Sequence, residues 1–281
     1  MPHNQQKKIA VINDFCGFGR CSLTVSLPII SALKVQCCPV PTSVFSNHTA
    51  YDSFFYTDYT CNMDAYITEW KKLGLSFDGI LTGFLGSPEQ TEIVRRFLEY
   101  FKGEHTVTVV DPVMGDEGKL YATYSQELAK QMKALLPYAD ILTPNLTEAC
   151  ILTDTVYCAE MSNEELTVIC EKLSLCGPKK IVISGLEREG RLINFVYEEG
   201  NVPVEVAGPK IGPCRAGTGD VFSSIIAADA VNGVGFLASV RHAAAFIAKV
   251  LRRAVELNIP TTDGICFEEF LTEIEEGVKE R

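Results

Sequence analysis

The stretch Gly217-Thr218-Gly219-Asp220 pairs a glycine turn with a carboxylate, directly ahead of a small-residue apolar run at residues 221–231. Glycine lets the backbone approach a ligand closely, and a helix starting at about Thr218 or Gly219 turns unpaired N–H groups and its positive dipole end toward an anion. A phosphate suits that position. A carboxylate there repels the phosphate unless it has a task of its own, and accepting a proton is one that fits Asp220. A plainer account also stands, because aspartate is common in first turns and paired glycines are common in loops.

Other polar clusters follow runs that read as buried strands. Residues 106–110 are almost wholly apolar and β-branched, as a central parallel strand requires, and the sequence DPVMGDEGK (111–119) comes next. Asp111 and Asp116 are hard oxygen ligands that could hold Mg²⁺ beside phosphates, or they belong to a solvated acidic turn. Residues 139–143 form another such run, ending in Thr143-Pro144-Asn145-Leu146-Thr147-Glu148. Glu148 is either a carboxylate behind the metal or the capping-box partner of Asn145. Residues 7–13 predict a first strand that delivers Asn13 and Asp14 to the carboxyl end of the sheet, where open α/β sheets bind ligands. These two either meet a small polar substrate or cap a turn. The aperiodic aromatic stretch 45–51 is suited to line a pocket for a flat ring. By itself, His48 within it reads as a hydrogen-bonded structural residue. Taken together, these parts fit phosphoryl transfer from ATP to an alcohol: Asp220 removes the hydroxyl proton, Mg²⁺ bridges phosphates, and the amides of residues 217–219 stabilise charge.

The elements that must position these groups alternate between strand and helix. Helical patterns are expected at 22–34, 63–73, after the Ser87-Pro88 cap, at 125–136, after Pro144, at 162–176 behind a Ser162/Glu165 capping box, at 220–232, 236–257 and 267–278. Strands are expected at 35–43, 77–86 and 179–184, with an antiparallel hairpin at 191–197 and 202–207. The sheet is therefore mixed. No repeat, linker or composition break divides residues 1–281, so a single α/β domain is expected.

Composition narrows the function. The chain has 281 residues, 47% hydrophobic and 22% charged, with formal net charge −11. The absence of a basic cluster argues against nucleic-acid binding. No stretch approaches a membrane span, and the apolar run at 9–12 is too short for a signal-peptide core. Eleven cysteines, an odd number without a CxxC pair, predict a reducing cytoplasm, mostly buried thiols such as Cys150, Cys170 and Cys176, and no zinc. Cys214 is expected to pack. The motif GxxxxGK[ST] and the protein-kinase signature set are absent, and Gly17-x-Gly19 lacks the third glycine of a dinucleotide fingerprint.

The ordered stretches FSNHTAY (45–51), LTGFLGS (81–87), DPVMGDEGKLY (111–121), TPNLTEA (143–149) and GTGDVF (217–222) resemble the pyridoxal/pyridoxamine (vitamin B6) kinases of the ribokinase-like superfamily over essentially the whole chain. The resemblance implies a three-layer fold with a mostly parallel central sheet, an antiparallel hairpin and flanking helices. It implies Asp220 as catalytic base, with Gly217, Thr218 and Gly219 as anion hole. Asp111, Asp116 and Glu148 would stand near Mg²⁺, with Asn145 and Thr143 beside them. Ser184 and the turn containing Asn232 and Gly233 would line the nucleotide site. Ring contacts would come from Asp14, Phe45, His48, Thr49 and Phe84, with Tyr121 on a flap over the phosphates. ATP, Mg²⁺, a response to K⁺ and a homodimer are further implications. Asp14 stands where many B6 kinases have serine, and the hydroxymethylpyrimidine kinases of thiamine synthesis also place an aspartate-glycine turn there. That activity is one alternative, and a non-catalytic pyridoxal-phosphate binder is another.

Overall fold

The computed structural model describes residues 5–121 and 124–275. Its first half runs β1 (Lys8–Cys16), α1 (Leu23–Ala32), β2 (Gln36–Phe45), β3 (Tyr56–Asp58), α2 (Thr60–Lys72), β4 (Gly79–Thr82), α3 (Pro88–Phe101) and β5 (Val107–Val110). A two-stranded ribbon of β6 (Gly115–Asp116) and β7 (Lys119–Leu120) leads to α4 (Gln126–Met132), β8 (Ile141–Leu142), α5 (Leu146–Leu152) and α6 (Asn163–Leu175). The chain continues through β9 (Lys180–Arg188), β10 (Arg191–Glu198), β11 (Val204–Pro209), α7 (Thr218–Val231) and α8 (Phe236–Glu256).

One nine-stranded sheet has the order β11-β10-β9-β8-β5-β4-β1-β2-β3. Its six central strands are parallel, and β3, β10 and β11 join antiparallel at the two sides. The middle strands are apolar on both faces because both faces are covered. Ala10, Ile12, Ile80 and Val110 belong to a core shared with α2 to α6, and Ile9, Val11, Leu81 and Val109 to a second core with α1, α7 and α8. This is the expected three-layer fold.

Local signals explain most boundaries. Ser87 accepts a hydrogen bond from the Gln90 amide at the start of α3, and Ser162 with Glu165 closes a capping box on α6. Some boundaries differ from the sequence expectation. β2 runs on to Phe45 despite Pro39 and Pro41, because β3 pairs only with residues 43–45 and leaves the proline stretch on an open edge. β9 continues past Ser184 through Gly185, whose φ of 74° turns it toward β10. The helix expected over 267–278 is a short 3₁₀ turn at Glu268–Glu273, and the rest of that expectation, 276–278, lies outside the described residues. Its packing runs through Phe267 and Ile274, both buried in the core of α1, α7 and α8.

The Ile274 carbonyl accepts from His242 Nε2 at 2.7 Å, while His242 Nδ1 lies 2.8 Å from Asp229 Oδ2. A proton must lie between the imidazole and the carboxylate, so this buried chain ties α7, α8 and the C-terminal segment into one unit. His242→Ala leaves Asp229 buried without its partner. It is expected to cost about 3 kcal/mol, read as a melting-temperature loss of several degrees.

Candidate active site

The carboxyl ends of β1, β4, β5, β8 and β9 converge on the N-terminus of α7. Asn13 and Asp14 come from β1, Phe84 follows β4, Asp111 follows β5, Asn145 follows β8, and Ser184 bridges to Asn145 from β9. Parallel strands put all these ends on one side of the sheet, which is why residues far apart in sequence meet.

Gly217 is the N-cap of α7, with φ 79°. A Cβ there would run into the Arg20 carbonyl, so only glycine allows the turn to lie against the loop after β1. No side chain caps α7, so its first amides stay available to an anion. At Gly219 a Cβ would meet nothing within 4 Å. The space above the helix end is a cradle that a methyl group would begin to fill.

Asp220 lies in the first turn of α7. Burial raises its carboxyl above the ordinary range, opposed by the Ser22 backbone N–H and the Asn13 side chain. Asn13 Nδ2 donates to Asp220 Oδ1 at 3.1 Å. The neighbouring Asp14 is pushed up to about 7, first by burial and further by the charge of Asp220, against a hydrogen bond from Ser22. Ser22 therefore serves both carboxyls, and its φ of 60° is what presents it to them. Sequence reading did not single out Ser22. Its only signal was its place just after a glycine turn and before a helix.

A second acidic corner faces the first. Burial drives Asp111 well above the usual carboxylate range, with Glu148 and Asp220 adding to the shift and the Ser223 hydroxyl opposing it. Glu148 is pushed up to about 8 by burial and by Asp116, although it accepts from the amides of Met114 (3.0 Å) and Asn145 (2.8 Å). Both capping-box bonds of Asn145 and Glu148 are present. Glu148 thus caps α5 and faces the acidic corner at once. None of the ion pairs among the described residues includes Asp14, Asp111, Asp116, Glu148 or Asp220. Asp116 is exposed at the edge of this corner, whereas Asp14, Asp111 and Glu148 are buried and Asp220 is half-buried; carboxyls so placed without a cationic partner form a donor set that suits a divalent cation. No three His, Cys, Asp or Glu side chains among the described residues form a ready cage. In Mg²⁺ sites one or two carboxylates typically share the ion with phosphates and water.

The remaining expected residues divide into those brought to the site and those held away. Phe45 and Phe84 meet edge-on at 6.1 Å, and Phe45 stacks on Tyr56 at 5.2 Å, making an aromatic wall beside Asn13. Tyr121 stands over the acidic corner, where burial and then Glu148, Asp116 and Asp111 raise its phenol. Thr143 is buried beneath Asn145, with an unpartnered hydroxyl. His48 is tied by Nε2 to the Thr262 carbonyl at 2.6 Å and packs on Tyr51 at 4.8 Å, as a structural residue does. Thr49 is exposed on the same loop. Asn232 and Gly233 are not brought to the site. They follow the far end of α7, whose 14 residues span about 21 Å, and Asn232 Nδ2 bonds the Leu33 carbonyl there. Cys214 is exposed rather than packed, and so is Cys176, while Cys150 and Cys170 are buried. No helix among the described residues is long and apolar enough to cross a membrane.

The chain matches the model of the phosphomethylpyrimidine kinase family over residues 27–263. It is 31% identical over 202 residues to a Schizosaccharomyces pombe protein provisionally named a pyridoxal kinase, covering 67% of this chain and 57% of that one. It is 30% identical over 205 residues to a pyridoxal kinase of Actinobacillus pleuropneumoniae, covering 69% of each. The chloroplast thiamine biosynthetic bifunctional enzyme TH1 of Arabidopsis thaliana is 30% identical over 234 residues, 82% of this chain and 43% of that one. A Bacteroides thetaiotaomicron crystal structure with pyridoxal, provisionally called a phosphomethylpyrimidine kinase, is 38% identical, covers 96% of both chains and has TM-score 0.93.

The two glycines of the turn separate fold from function. Gly219→Ala is expected to leave the melting temperature unchanged or slightly raised while lowering phosphoryl-transfer activity at least tenfold. Gly217→Ala is expected to lower stability by about 1 kcal/mol or more through its positive φ and the Arg20 clash. Thermal unfolding and ADP release, measured on both variants, check the pair.

Proposed function

We propose, from the premise that the chain belongs to the phosphomethylpyrimidine and pyridoxal kinase family with its ribokinase-like fold, that it transfers the γ-phosphoryl group of ATP to the 5′-hydroxymethyl group of a vitamin B6 vitamer. The observation that carries the reading is Asp220, a carboxylate in the first turn of an uncapped helix. It is held by Asn13 and Ser22, with an aromatic wall on one side and an acidic corner on the other.

In this reading the aromatic wall of Phe45 and Phe84 receives the heteroaromatic ring, and the hydroxymethyl group points to Asp220. Asp220 takes the hydroxyl proton as the oxygen attacks phosphorus. The amides of residues 217–219 meet the charge that grows on the phosphoryl oxygens, where preorganised N–H groups cost no rearrangement. Asp111, Asp116 and Glu148 would hold Mg²⁺, which supplies charge neutralisation between phosphates. Tyr121, partly exposed beside that corner, would cover the phosphates.

A second reading has its own support. The matched family is that of phosphomethylpyrimidine kinases, and Asp14, near the end of β1, stands where the resemblance to the pyrimidine enzymes implies an aspartate. Hydroxymethylpyrimidine is also a flat ring with a hydroxymethyl arm, so the same base and helix end would serve it. ADP release with ATP and Mg²⁺ is expected with pyridoxal, pyridoxamine or pyridoxine, at a kcat/KM above that for hydroxymethylpyrimidine. The reverse order would assign the second reading. Turnover of neither substrate class would overturn both. Asp220→Asn is expected to lower kcat by roughly 10²- to 10⁴-fold with vitamer binding retained by calorimetry.

A further inference from the structure

We infer that Asn13 is a positioning residue that sets the orientation of Asp220 and couples it to the ring-binding wall, an inference that rests on the reading of Asp220 as base. The pairing of β1 with β2 shifts register between Asn13 and Phe15, so the strand bends at the residue that ends its regular ladder. The Asn13 side chain is thereby turned into a buried site between β4 and α7, and the residue is 4% exposed.

Its carboxamide has one possible orientation there. Oδ1 accepts from two backbone amides, Asp14 N at 3.0 Å and Phe84 N at 2.9 Å. Both are donors, so only the oxygen can face them, and the NH₂ group is forced toward Asp220 Oδ1 at 3.1 Å. An NH₂ group can only donate, and it therefore favours the ionised carboxylate, the form a base needs. Gly83 provides the room, since a Cβ there would lie 2.6 Å from the carboxamide carbon of Asn13. The Phe84 amide and Asp220 thus hang on opposite ends of one planar group. A ring seated against Phe84 and the hydroxyl that Asp220 must reach are aligned by the same side chain.

The titratable groups around Asp220 are Asp14 and Cys16 of β1, Cys21 of the following turn and Asp111 after β5. None is a cation. The donors opposing them are the Ser22 N–H and Asn13, so removing Asn13 leaves one of two named donors.

Asn13→Ala is expected to lower kcat roughly 10- to 100-fold with KM for the vitamer changed less than threefold, and to move the acid limb of the kcat profile up by about one pH unit. Asn13→Asp, the same shape with an added charge, is expected to be worse than alanine. Combining Asn13→Ala with Asp220→Asn is expected to add little to the loss from Asp220→Asn alone, because the two act as one unit. Thermal unfolding of each variant accompanies the kinetics. If Asn13→Ala unfolds, Gly83→Ala provides the same displacement of the carboxamide without touching Asn13, and the same acid-limb shift is expected. An unshifted acid limb in a folded variant, or full additivity with Asp220→Asn, overturns the role of Asn13. A wild-type rate in Asp220→Asn itself overturns the base assignment instead, which keeps the two failures apart.

Discussion

Four buried or half-buried carboxyls, Asp14, Asp111, Glu148 and Asp220, share the carboxyl end of the sheet, and no described ion pair neutralises any of them. Burying negative charge without a partner costs several kcal/mol per group unless hydrogen bonds or protons relieve it. The chain relieves it with neutral donors alone: the amides of Met114 and Asn145 for Glu148, the Ser223 hydroxyl for Asp111, and Ser22 with Asn13 for Asp220. A lysine or arginine would have relieved it better. It would also have occupied the place that a metal ion and phosphates would take, so a cluster of carboxyls with no basic partner is the physical form of the site.

This constraint orders the rest of the fold. The parallel sheet gathers the carboxyls, and the cores on its two faces hold the strands rigid enough to keep like charges close. Gly217 lets the end of α7 press against the loop after β1, which brings Ser22 to Asp220. The positive end of α7 then shares the same small volume with its own first-turn carboxylate.

Much of this was legible in the sequence. β-branched apolar runs mark strands buried on both faces, and Ser87, Asn145 and Ser162 announce helix starts through side chains that bond their own backbone. Asp111 and Glu148 were readable because acidic residues after buried strands are placed by topology. Less legible were features made by tertiary contact. β3 is three exposed residues that exist only because β2 offers an edge. The roles of Ser22 and Asn13 depend on a positive φ and a register shift that no local pattern encodes. The turn at Asn232 follows the end of α7 opposite Gly217, a placement that resemblance in sequence order does not encode.

In the proposed kinase, Glu148 of the acidic corner carries a proton that a divalent cation would displace. Calorimetry of Mg²⁺·ATP binding in buffers of different ionisation enthalpy tests it most directly. Burial raises Asp111 above the usual carboxylate range and pushes Glu148 up to about 8, so Glu148 is largely protonated at pH 7 in the free protein, and a metal requires it ionised. Binding is expected to release about one proton at pH 7, with the release fading as the pH rises past about 8. Binding without proton release across that range, or with proton uptake, would contradict it.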